Sequence, residues 1–261
     1  MNQKLANATA LYMEGIRDGR VREAVEAYTG DRYTQHSTGV ADGVEGFVAF
    51  FGPFIERTPV RDIRVVRSIV DGSFVFVQVY QDLNSGEARW LTTDMFDTDT
   101  DTDTDTDDKI VEHWDVIAAV TDESVNGHTQ VDGPTDIVDE DKTEQNKALV
   151  ASFVDDVLVN HRTDKIAYYV SAEQYVQHNP TVPDGTKAFR EFMAGPGDEM
   201  IYRDVFKIIG QGNFVMAYSH VFLGEELAVF DLFRVDDGRI VEHWDNMEPL
   251  PEGPQPNSGK F

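Results

Sequence analysis

The chain has 261 residues, of which 41% are hydrophobic, so it can build a sizeable core and its length predicts two domains of ordinary size. It contains no cysteine, which excludes disulfides, thiolate metal sites and cysteine nucleophiles. Its formal net charge of −26 at pH 7 predicts that nucleic acid and anionic membranes are repelled rather than bound.

The acidic excess has a particular make-up, because Asp plus Glu number 48 against 22 for Lys plus Arg, and only 8 of those 22 are lysines. Like charge at this density repels itself in dilute buffer and is screened at molar salt, where the Debye length is about 3 Å. The composition is typical of extreme halophiles and predicts a haloarchaeal source. The N-terminus lacks an export signal and no stretch approaches about 18 consecutive apolar residues, so we expect a cytoplasmic protein with no membrane contact.

Internal repeats indicate two tandem copies of one domain. Six residues recur at a constant offset of 142, namely Tyr33, Gln35, His36, Asp42, Gly43 and Phe47 as Tyr175, Gln177, His178, Asp184, Gly185 and Phe189. The hexapeptide IVEHWD at residues 110–115 returns letter for letter at 240–245. These matches predict a first domain over residues 1–120, a polar linker over 121–142, and a second domain over 143–261 that ends in a Pro/Gly-rich tail.

Each copy is predicted to begin with helices and to end in an antiparallel meander. Helical periodicity covers residues 3–28 and 43–56 in the first copy, and 143–169 and 185–194 in the second. In the second copy, strand patterns follow at residues 201–210, 213–223, 226–235 and 239–247. This order predicts an α+β fold in which the helices cover one face of a strongly curved sheet.

One segment distinguishes the copies, because the first carries the run TDTDTDTDTDD after Asp97 where the second has only the short turn VDDG. Alternate carboxylates are possible oxygen ligands for cations. The run lacks the glycine and the bidentate Glu of a calcium loop, however, and it stands where the other copy has a hairpin turn. We therefore predict an expanded, solvated hairpin loop without a specific ligand.

Strand periodicity places His243 and Asp245 on one face of the last strand, with Glu242 and Trp244 on the other. Asp231 interrupts the apolar run LAVFDLF, which puts a carboxylate against hydrophobic surface. Burial raises the pKa of a carboxyl group and makes it useful for proton transfer near neutral pH.

The candidate catalytic and substrate-binding residues follow from these faces. In the second copy the candidate catalytic residues are Asp245, His178 and Asp231, with Tyr175, Tyr218, His220 and His243 as substrate-binding neighbours. In the first copy they are Asp115, His36 and Asp94, with Tyr33, Tyr80 and His113. Structural roles stay open: the histidine before the turn could tie a loop, the HWD tripeptide could pack, and His220 could face the other domain. We predict no metal, since HExxH and paired-His spacings are missing from the sequence.

Three stretches of the second copy, YVQHNPTVPDG, VFDLFRVDDGRIVEHWD and the closing SGKF, resemble the SnoaL-like family of the nuclear transport factor 2 superfamily, specifically its predicted aldol-condensation enzymes. The resemblance covers nearly all of residues 143–261. The first copy resembles the same group over residues 5–135, including VEHWDV and NGHTQVDGPT. It departs at Ser37 and Thr38, where the family has Asn and Pro, and at Asp97, where the family has Arg as at Arg234.

The resemblance implies two cone-shaped α+β barrels that pair as a pseudo-dimer within the chain, with further self-association left open. It also implies a pocket that acts on small hydrophobic carbonyl compounds without a cofactor, by aldol-type cyclisation, condensation or isomerisation. The HWD aspartates, Asp245 and Asp115, would be its general acid or base. The alternatives are a non-catalytic module that binds a small apolar ligand and a scaffold whose function is pairing.

Overall fold

A computed structural model of the protein describes residues 2–98 and 108–261. The chain forms two compact units: one runs to Ala119 and also includes Pro251–Phe261, and the other is Val120–Leu250. Most of the Asp-Thr run, over residues 99–107, lies outside the described residues, so its loop prediction stays a prediction. Among the described residues, no helix is long and apolar enough to cross a membrane.

The first unit is a five-stranded sheet covered by helices. Its helices are α1 (Gln3–Ala10), which continues into a π-helical turn (Leu11–Arg17), α2 (Val21–Tyr28) and α3 (Gly43–Arg57). Its strands are β1 (Thr29–Gln35), β2 (Arg61–Asp71), β3 (Phe74–Leu83), β4 (Ala88–Asp97) and β5 (Ile110–Ala119). The strand order is β1-β5-β4-β3-β2, in which β1 pairs parallel with β5 and the other pairs are antiparallel.

The second unit has the same order of strands, β6-β10-β9-β8-β7. Its helices are α4 (Thr143–Phe153), which continues into a π-helical turn (Val154–Val159), α5 (Ile166–Tyr169) and α6 (Thr186–Met193), with short 3-10 turns at Glu140–Lys142, Thr163–Lys165 and Pro196–Glu199. Its strands are β6 (Val176–Gln177), β7 (Ile201–Gln211), β8 (Phe214–Phe222), β9 (Glu226–Asp236) and β10 (Arg239–Pro249). The predicted α+β fold class is confirmed in both units.

The long helices predicted over residues 3–28 and 143–169 are each interrupted. Gly19 adopts a φ of +80° between α2 and the preceding turn, and His161 adopts a φ of +52° before α5. A residue in the left-handed region ends an α-helix. Periodicity alone did not reveal these breaks, because the apolar spacing continues on both sides.

Each unit fixes the start of its third helix in the same way. Asp42 accepts a hydrogen bond from the backbone N–H of Gln35 at 2.7 Å, and Asp184 accepts one from Gln177 at 2.7 Å. Gly43, directly after Asp42, has a φ of +75°, a conformation that favours glycine. The Asp-Gly pair therefore ties the helix to the short strand beside the IVEHWD strand.

Apolar residues from the helices pack on one face of each sheet. In the second unit, the Phe153 ring lies 5.5 to 6.1 Å from the rings of Tyr169, Phe189 and Phe233, which joins three helices to β9. Burying one such side chain stabilises a fold by roughly 1.5–3 kcal/mol. Irregular pairing in β7, at Tyr202/Asp204 and Val205/Lys207, is where bulges bend the sheet around this core.

The middle segment, residues 120–142, belongs to the second unit. Its Asn126 side chain donates to the backbone carbonyls of Gln177 at 3.2 Å and Val182 at 2.9 Å, and Asp184 N–H donates back to Asn126 at 2.9 Å. The sequence had predicted a linker here. The residues are polar because they make these hydrogen bonds.

The C-terminal segment, residues 251–261, belongs to the first unit. Its Asn257 side chain donates to the backbone carbonyls of Ser37 and Val40, at 2.7 Å each. The predicted boundaries had assigned this segment to the second domain. Hydrogen bonds to residues more than 200 positions earlier leave no local trace in the sequence.

We expect Gly212→Ala to destabilise the protein more than Gly72→Ala, although both glycines occupy the same hairpin turn at an offset of 140. Both have positive φ, +57° and +61°, so alanine costs about 1–2 kcal/mol of backbone strain at either. A Cβ on Gly212 would also lie 2.2 Å from the Val138 carbonyl oxygen, whereas a Cβ on Gly72 would have no atom of the described residues within 4 Å. Chemical unfolding should therefore show a further loss of about 1–3 kcal/mol for Gly212→Ala; equal losses would contradict the packing of the middle segment.

Candidate functional site

The second unit encloses a cavity of about 240 Å³ between its helices and one face of its sheet. Its wall is mostly apolar, with side chains from Phe153, Leu158, Val182, Phe189, Phe192, Met193, Pro196, Met200, Leu223, Phe233 and Met247. Its polar residues are Tyr175, Gln177, Asn179, Thr181, Tyr202, Asp231, His243 and Asp245. Since a cavity of about 150 Å³ holds benzene, this one has room for one or two rings.

Strand pairing brings the two carboxylates of this cavity together. Asp245 on β10 lies directly opposite Asp231 on β9 in the antiparallel register. Because side chains alternate along a strand, His243 and Asp245 both line the cavity, whereas Glu242 and Trp244 are not among the lining residues.

Three polar residues form a Gln–His–Asp chain at one end of the cavity. His243 donates from Nδ1 to Gln177 Oε1 at 2.9 Å and from Nε2 to Asp231 Oδ1 at 3.0 Å. Gln177 Oε1 also accepts from the Asn179 backbone N–H at 3.3 Å, which fixes the orientation of the amide. Both partners of the ring are therefore acceptors, and the geometry calls for an imidazolium that donates from both nitrogens.

The electrostatics agree with a charged His243. Burial by itself lowers the pKa of this imidazole, but the hydrogen bond to Asp231 and the negative charges of Asp245 and Asp231 outweigh it and raise the pKa above 6.5. The Asp231 carboxylate is thereby paired within the protein, and Tyr202 donates to its second oxygen at 3.0 Å.

Asp245 has a different environment, because its hydrogen-bond partner is neutral. Asn179 donates from Nδ2 to Asp245 Oδ2 at 2.7 Å, and Thr181 holds that amide by donating from N and Oγ1 to Asn179 Oδ1 at 2.9 and 2.8 Å. Desolvation in the cavity raises the pKa of Asp245, and the charge of Asp231 adds to the rise, against the opposing effects of His243 and Asn179. Asp245 is therefore a carboxyl group poised to exchange a proton.

Two tyrosines supply hydroxyl groups to the same end of the cavity. Tyr202 donates to Asp231, whereas Tyr175 accepts from Gln177 Nε2 at 3.2 Å, which leaves its own hydrogen for another acceptor. Burial first, and then the nearby carboxylates, raise the pKa of both phenols well above 10. Tyr175 is therefore a neutral donor facing the cavity.

Asp231, His243 and Asp245 also have ligand atoms within 4.8 Å of one another, close enough for a metal ion. Both His243 ring nitrogens already donate hydrogen bonds, however, so a metal would have to displace Asp231 or Gln177 from the ring. The arrangement as built suits proton transfer better than metal binding.

The first unit encloses a cavity of about 220 Å³ in the corresponding place. Its apolar wall is rich in aromatic rings and consists of Leu11, Ile16, Phe47, Phe50, Phe51, Phe54, Trp90, Phe96 and Ile117. Its polar residues are Tyr12, Tyr33, Ser37, Gln81, Thr92, His113 and Asp115.

The Gln–His–Asp chain is present here too. His113 donates to Gln35 Oε1 and to Asp94 Oδ1, at 2.9 Å each. Asp94 is fully buried and also accepts from Tyr12 at 2.6 Å, where the second unit uses Tyr202. Tyr12 lies in a π-helical turn, a feature that often occurs at functional sites. Burial raises the pKa of Asp94 despite the opposing hydrogen bond from His113.

Asp115 differs from its counterpart Asp245 because it has a cation as partner. Lys260 donates from Nζ to Asp115 Oδ1 and to the Asp115 carbonyl, at 2.8 Å each. The side chains are only 2% and 5% exposed, respectively. Burial alone would raise the pKa of Asp115, but the charges of Lys260 and His113 outweigh it and lower the pKa below 3.8. Asp115 is thus held as an ionised carboxylate.

His178, a predicted catalytic residue, is not among the residues that line the cavity. It donates from Nε2 to Glu242 Oε1 at 2.8 Å and from Nδ1 to the Thr129 carbonyl at 2.9 Å, and its ring stacks on Trp244 at 4.5 Å. Arg234 donates to the other Glu242 oxygen at 2.7 Å. These contacts hold the middle segment against the IVEHWD strand, and a catalytic role for His178 stays a prediction.

His36 occupies the same position in the first unit and is likewise not among the cavity-lining residues. It donates from Nε2 to Glu112 Oε1 at 2.8 Å and from Nδ1 to the Gly259 carbonyl, and it stacks on Trp114 at 4.9 Å. It holds the C-terminal segment as His178 holds the middle segment.

Most of the remaining predicted residues lie in or next to the two cavities. Tyr175, Asp231, His243 and Asp245 line the second cavity, and Tyr33, His113 and Asp115 line the first, with Asp94 directly behind His113.

Three predicted substrate-binding residues are not among the lining residues of either cavity. Tyr218 stacks on a neighbouring phenylalanine, His220 lies 2.8 Å from the Glu226 carboxylate, and Tyr80 lies beneath the Arg64 guanidinium at 4.7 Å. Their contact with a substrate stays a prediction.

Sequence reasoning did not identify several residues of these sites. Gln177 and Asn179 could have been found, since the glutamine recurs in both copies and the asparagine belongs to the QHNP motif. Tyr202 and Tyr12 gave no such signal, because they reach the buried aspartate from different elements in the two units. Lys260 reaches Asp115 across 145 positions of sequence, which no local pattern records.

Comparison with known proteins places a family match in the second unit. Residues 150–243 match the family model described as a SnoaL-like domain. The match includes β7, β8 and β9 and ends within β10 at His243. No curated protein matches the chain.

Solved structures give weaker likenesses. A candidate ketosteroid isomerase from Kribbella flavida is 22% identical, with a TM-score of 0.38, over 43% of this chain and 84% of that one. An LEH-like epoxide hydrolase from M. tuberculosis is 18% identical, with a TM-score of 0.35, over 41% of this chain and 85% of that one. An NTF2-like protein of unknown function from Mesorhizobium loti is 20% identical, with a TM-score of 0.36, over 44% and 97%. At these values the likenesses carry no argument about a reaction.

Proposed function

We propose that the second cavity is an active site for acid–base chemistry on small, uncharged carbonyl compounds, with Asp245 as the group that moves the proton. The observation that carries this proposal is a carboxyl group with a raised pKa and a neutral hydrogen-bond partner, set in an apolar cavity beside a buried imidazolium. The SnoaL-like match over residues 150–243 supports the same general kind of function.

The proposed step begins with ionised Asp245. Its carboxylate takes a proton from the carbon next to the substrate carbonyl, the C–H bond breaks, and its electron pair moves to the carbonyl oxygen as an enolate. Tyr175 O–H and the second N–H of the Asn179 side chain are the donors placed to stabilise that oxygen. Attack of the enolate carbon on a second carbonyl gives an alkoxide, which takes the proton back from Asp245 and becomes the aldol product. Return of the proton from Asp245 to another carbon instead gives an isomer.

The Gln–His–Asp chain places a positive charge near the position where the enolate's negative charge would form. His243 carries its positive charge before substrate arrives, held by Gln177 and Asp231, so little reorganisation accompanies enolate formation. The apolar wall excludes water from the reacting carbon and strengthens these interactions.

The test is exchange of the α-hydrogens of a bicyclic ketone, 1-tetralone, in D₂O. Asp245 would take hydrogen from the ketone, exchange it with solvent and return deuterium, so mass spectrometry counts the turnover. We expect exchange well above the buffer rate. Ketones that bind without exchange anywhere in a panel of ring sizes would overturn the catalytic proposal and favour the alternative, a non-catalytic module for small apolar ligands.

We expect a bell-shaped dependence of the exchange rate on pH. The rate rises as Asp245 ionises, at a pH above the ordinary carboxyl pKa of 3.8 because its pKa is raised. It falls as His243 loses its proton, at a pH above 6.5 because that pKa is also raised. Initial rates from pH 4 to pH 10 measure both limbs, and a descending limb below pH 6.5 would contradict the role given to His243.

We also propose that the two units are tandem copies in a cytoplasmic protein adapted to high salt, with a small hydrophobic molecule as its partner. The matching strand orders and the repeated IVEHWD support the tandem origin. The net charge of −26 supports salt adaptation, so assays belong at about 3 M KCl, where screening is complete within a few ångströms.

A further inference from the structure

The segments held by His178 and His36 differ at the residue that follows the accepting carbonyl. The carbonyl that accepts from His178 is Thr129, and the carbonyl that accepts from His36 is Gly259. The next residue is Gln130 in the middle segment and Lys260 in the C-terminal segment. The side chain at this position is therefore neutral in one segment and a cation in the other.

The Lys260 side chain is buried beside Asp115, so its charge acts directly on that carboxylate. Its ammonium group is almost completely buried and makes two 2.8 Å hydrogen bonds to a single residue, Asp115. Gln130, in contrast, accepts from the Thr121 backbone N–H at 3.0 Å. The lysine thus neutralises Asp115, the one carboxylate among the described residues that line the first cavity.

We propose that Lys260 makes the first cavity a receptor that binds an uncharged, apolar ring compound without transferring a proton. Asp115 stands where the catalytic base of the second cavity stands, but its carboxylate is committed to the lysine. Lys260 acts through Asp115 and is a positioning residue. This inference concerns the first unit and does not depend on the reaction proposed for the second.

The chemical class of the ligand follows from the wall. Phe50, Phe51, Phe54 and Trp90 contribute aromatic rings to the wall of a cavity of about 220 Å³, which is enough for one or two rings. The lining carboxylate Asp115 is already paired with Lys260, and Asp94 Oδ1 lies 2.9 Å from His113 Nε2. A charged ligand would be buried without a partner, which is costly, so the ligand is uncharged.

Binding can be followed at one tryptophan. The protein has three tryptophans, and among the described lining residues only Trp90 belongs to a cavity. We would label the full chain with 5-fluorotryptophan, assign the Trp90 resonance by Trp90→Phe, and titrate with 1-tetralone by ¹⁹F NMR. We expect a saturable shift of Trp90 that exceeds those of the other two. No shift of Trp90 up to the solubility limit of the ketone would overturn the proposal.

The role of Lys260 is tested by α-hydrogen exchange in an Asp245→Asn background, which isolates the first cavity. We expect no exchange above buffer in that background and at least tenfold more once Lys260→Gln is added. Lys260→Arg, which keeps a cation, should give none, and adding Asp115→Asn should remove the gain.

Two results would overturn the assignment. One is exchange in Asp245→Asn that Asp115→Asn removes, since the first cavity would then already be catalytic. The other is no exchange after Lys260→Gln although ¹⁹F NMR shows that variant folded. Failure of the function proposed for the second cavity would give a different result. The wild type would then show no α-hydrogen exchange, while the Lys260→Gln variant would still gain exchange in the first cavity.

Discussion

Replacement of Asp245 by Asn is expected to lower α-hydrogen exchange by at least about 100-fold, the usual contribution of a positioned general base. The amide has nearly the same shape and can still accept from Asn179, so binding of the ketone should change little. The loss should therefore lie in the turnover rate, with a KM close to that of the wild type.

The matched control is Asp236→Asn, which removes the same charge from the same sheet at an exposed position on β9. Its exchange rate should stay within a factor of two of the wild type. Exchange that survives Asp245→Asn undiminished would show that another group removes the proton.

Lys260→Met is expected to destabilise the protein by about 3–5 kcal/mol, the typical cost of removing one partner of a buried ion pair. Methionine replaces much of the apolar stem but leaves the Asp115 carboxylate buried without its cation. The effect should depend on pH. Because the pKa of Asp115 is lowered in the folded protein, its stabilisation is present above 3.8 and is lost as the pH falls through the lower folded value.

A double-mutant cycle separates the ion pair from packing. Adding Asp115→Asn to Lys260→Met removes the unpaired charge, so we expect chemical unfolding to show that part of the lost stability returns. Losses that simply add would mean that the two side chains do not interact in the folded protein.

The sheet of the second unit and the pairing of Asp231 with Asp245 could be predicted from the sequence. Alternating apolar residues placed β7 to β10 within two residues of their observed ends, because one face of each strand is buried. The same alternation set His243 and Asp245 on one face. The turn between β9 and β10 then fixes the register that brings Asp231 opposite Asp245.

The partners of these residues could not be predicted in the same way. The sequence around a histidine before a turn is the same whether the side chain lines a cavity or holds another segment by hydrogen bonds. His178 is not among the cavity-lining residues, and its two ring nitrogens bond to Thr129 and Glu242. The charge state of Asp115 depends on Lys260, which is distant in sequence. Contacts between residues this far apart in sequence depend on which unit a segment packs against, and no periodic pattern in the sequence indicates that choice.

The two units show how one arrangement of groups can support different chemistry. Both hold a histidine ring between a glutamine oxygen and a buried aspartate, and both place the HWD aspartate beside it. The second unit gives that aspartate an amide as partner, and the first gives it an ammonium group. This counter-ion is the difference on which we propose that proton transfer in the second cavity and binding in the first depend.

The most direct test of this account is a ¹³C NMR titration of the aspartate carboxyl groups, with Asp245 and Asp115 assigned by their Asn variants. Both carboxyls are measured in one sample, so each serves as the control for the other. We expect Asp245 to titrate above 3.8 and Asp115 below it. Equal values, or the reverse order, would contradict the assignment of proton transfer to the second cavity.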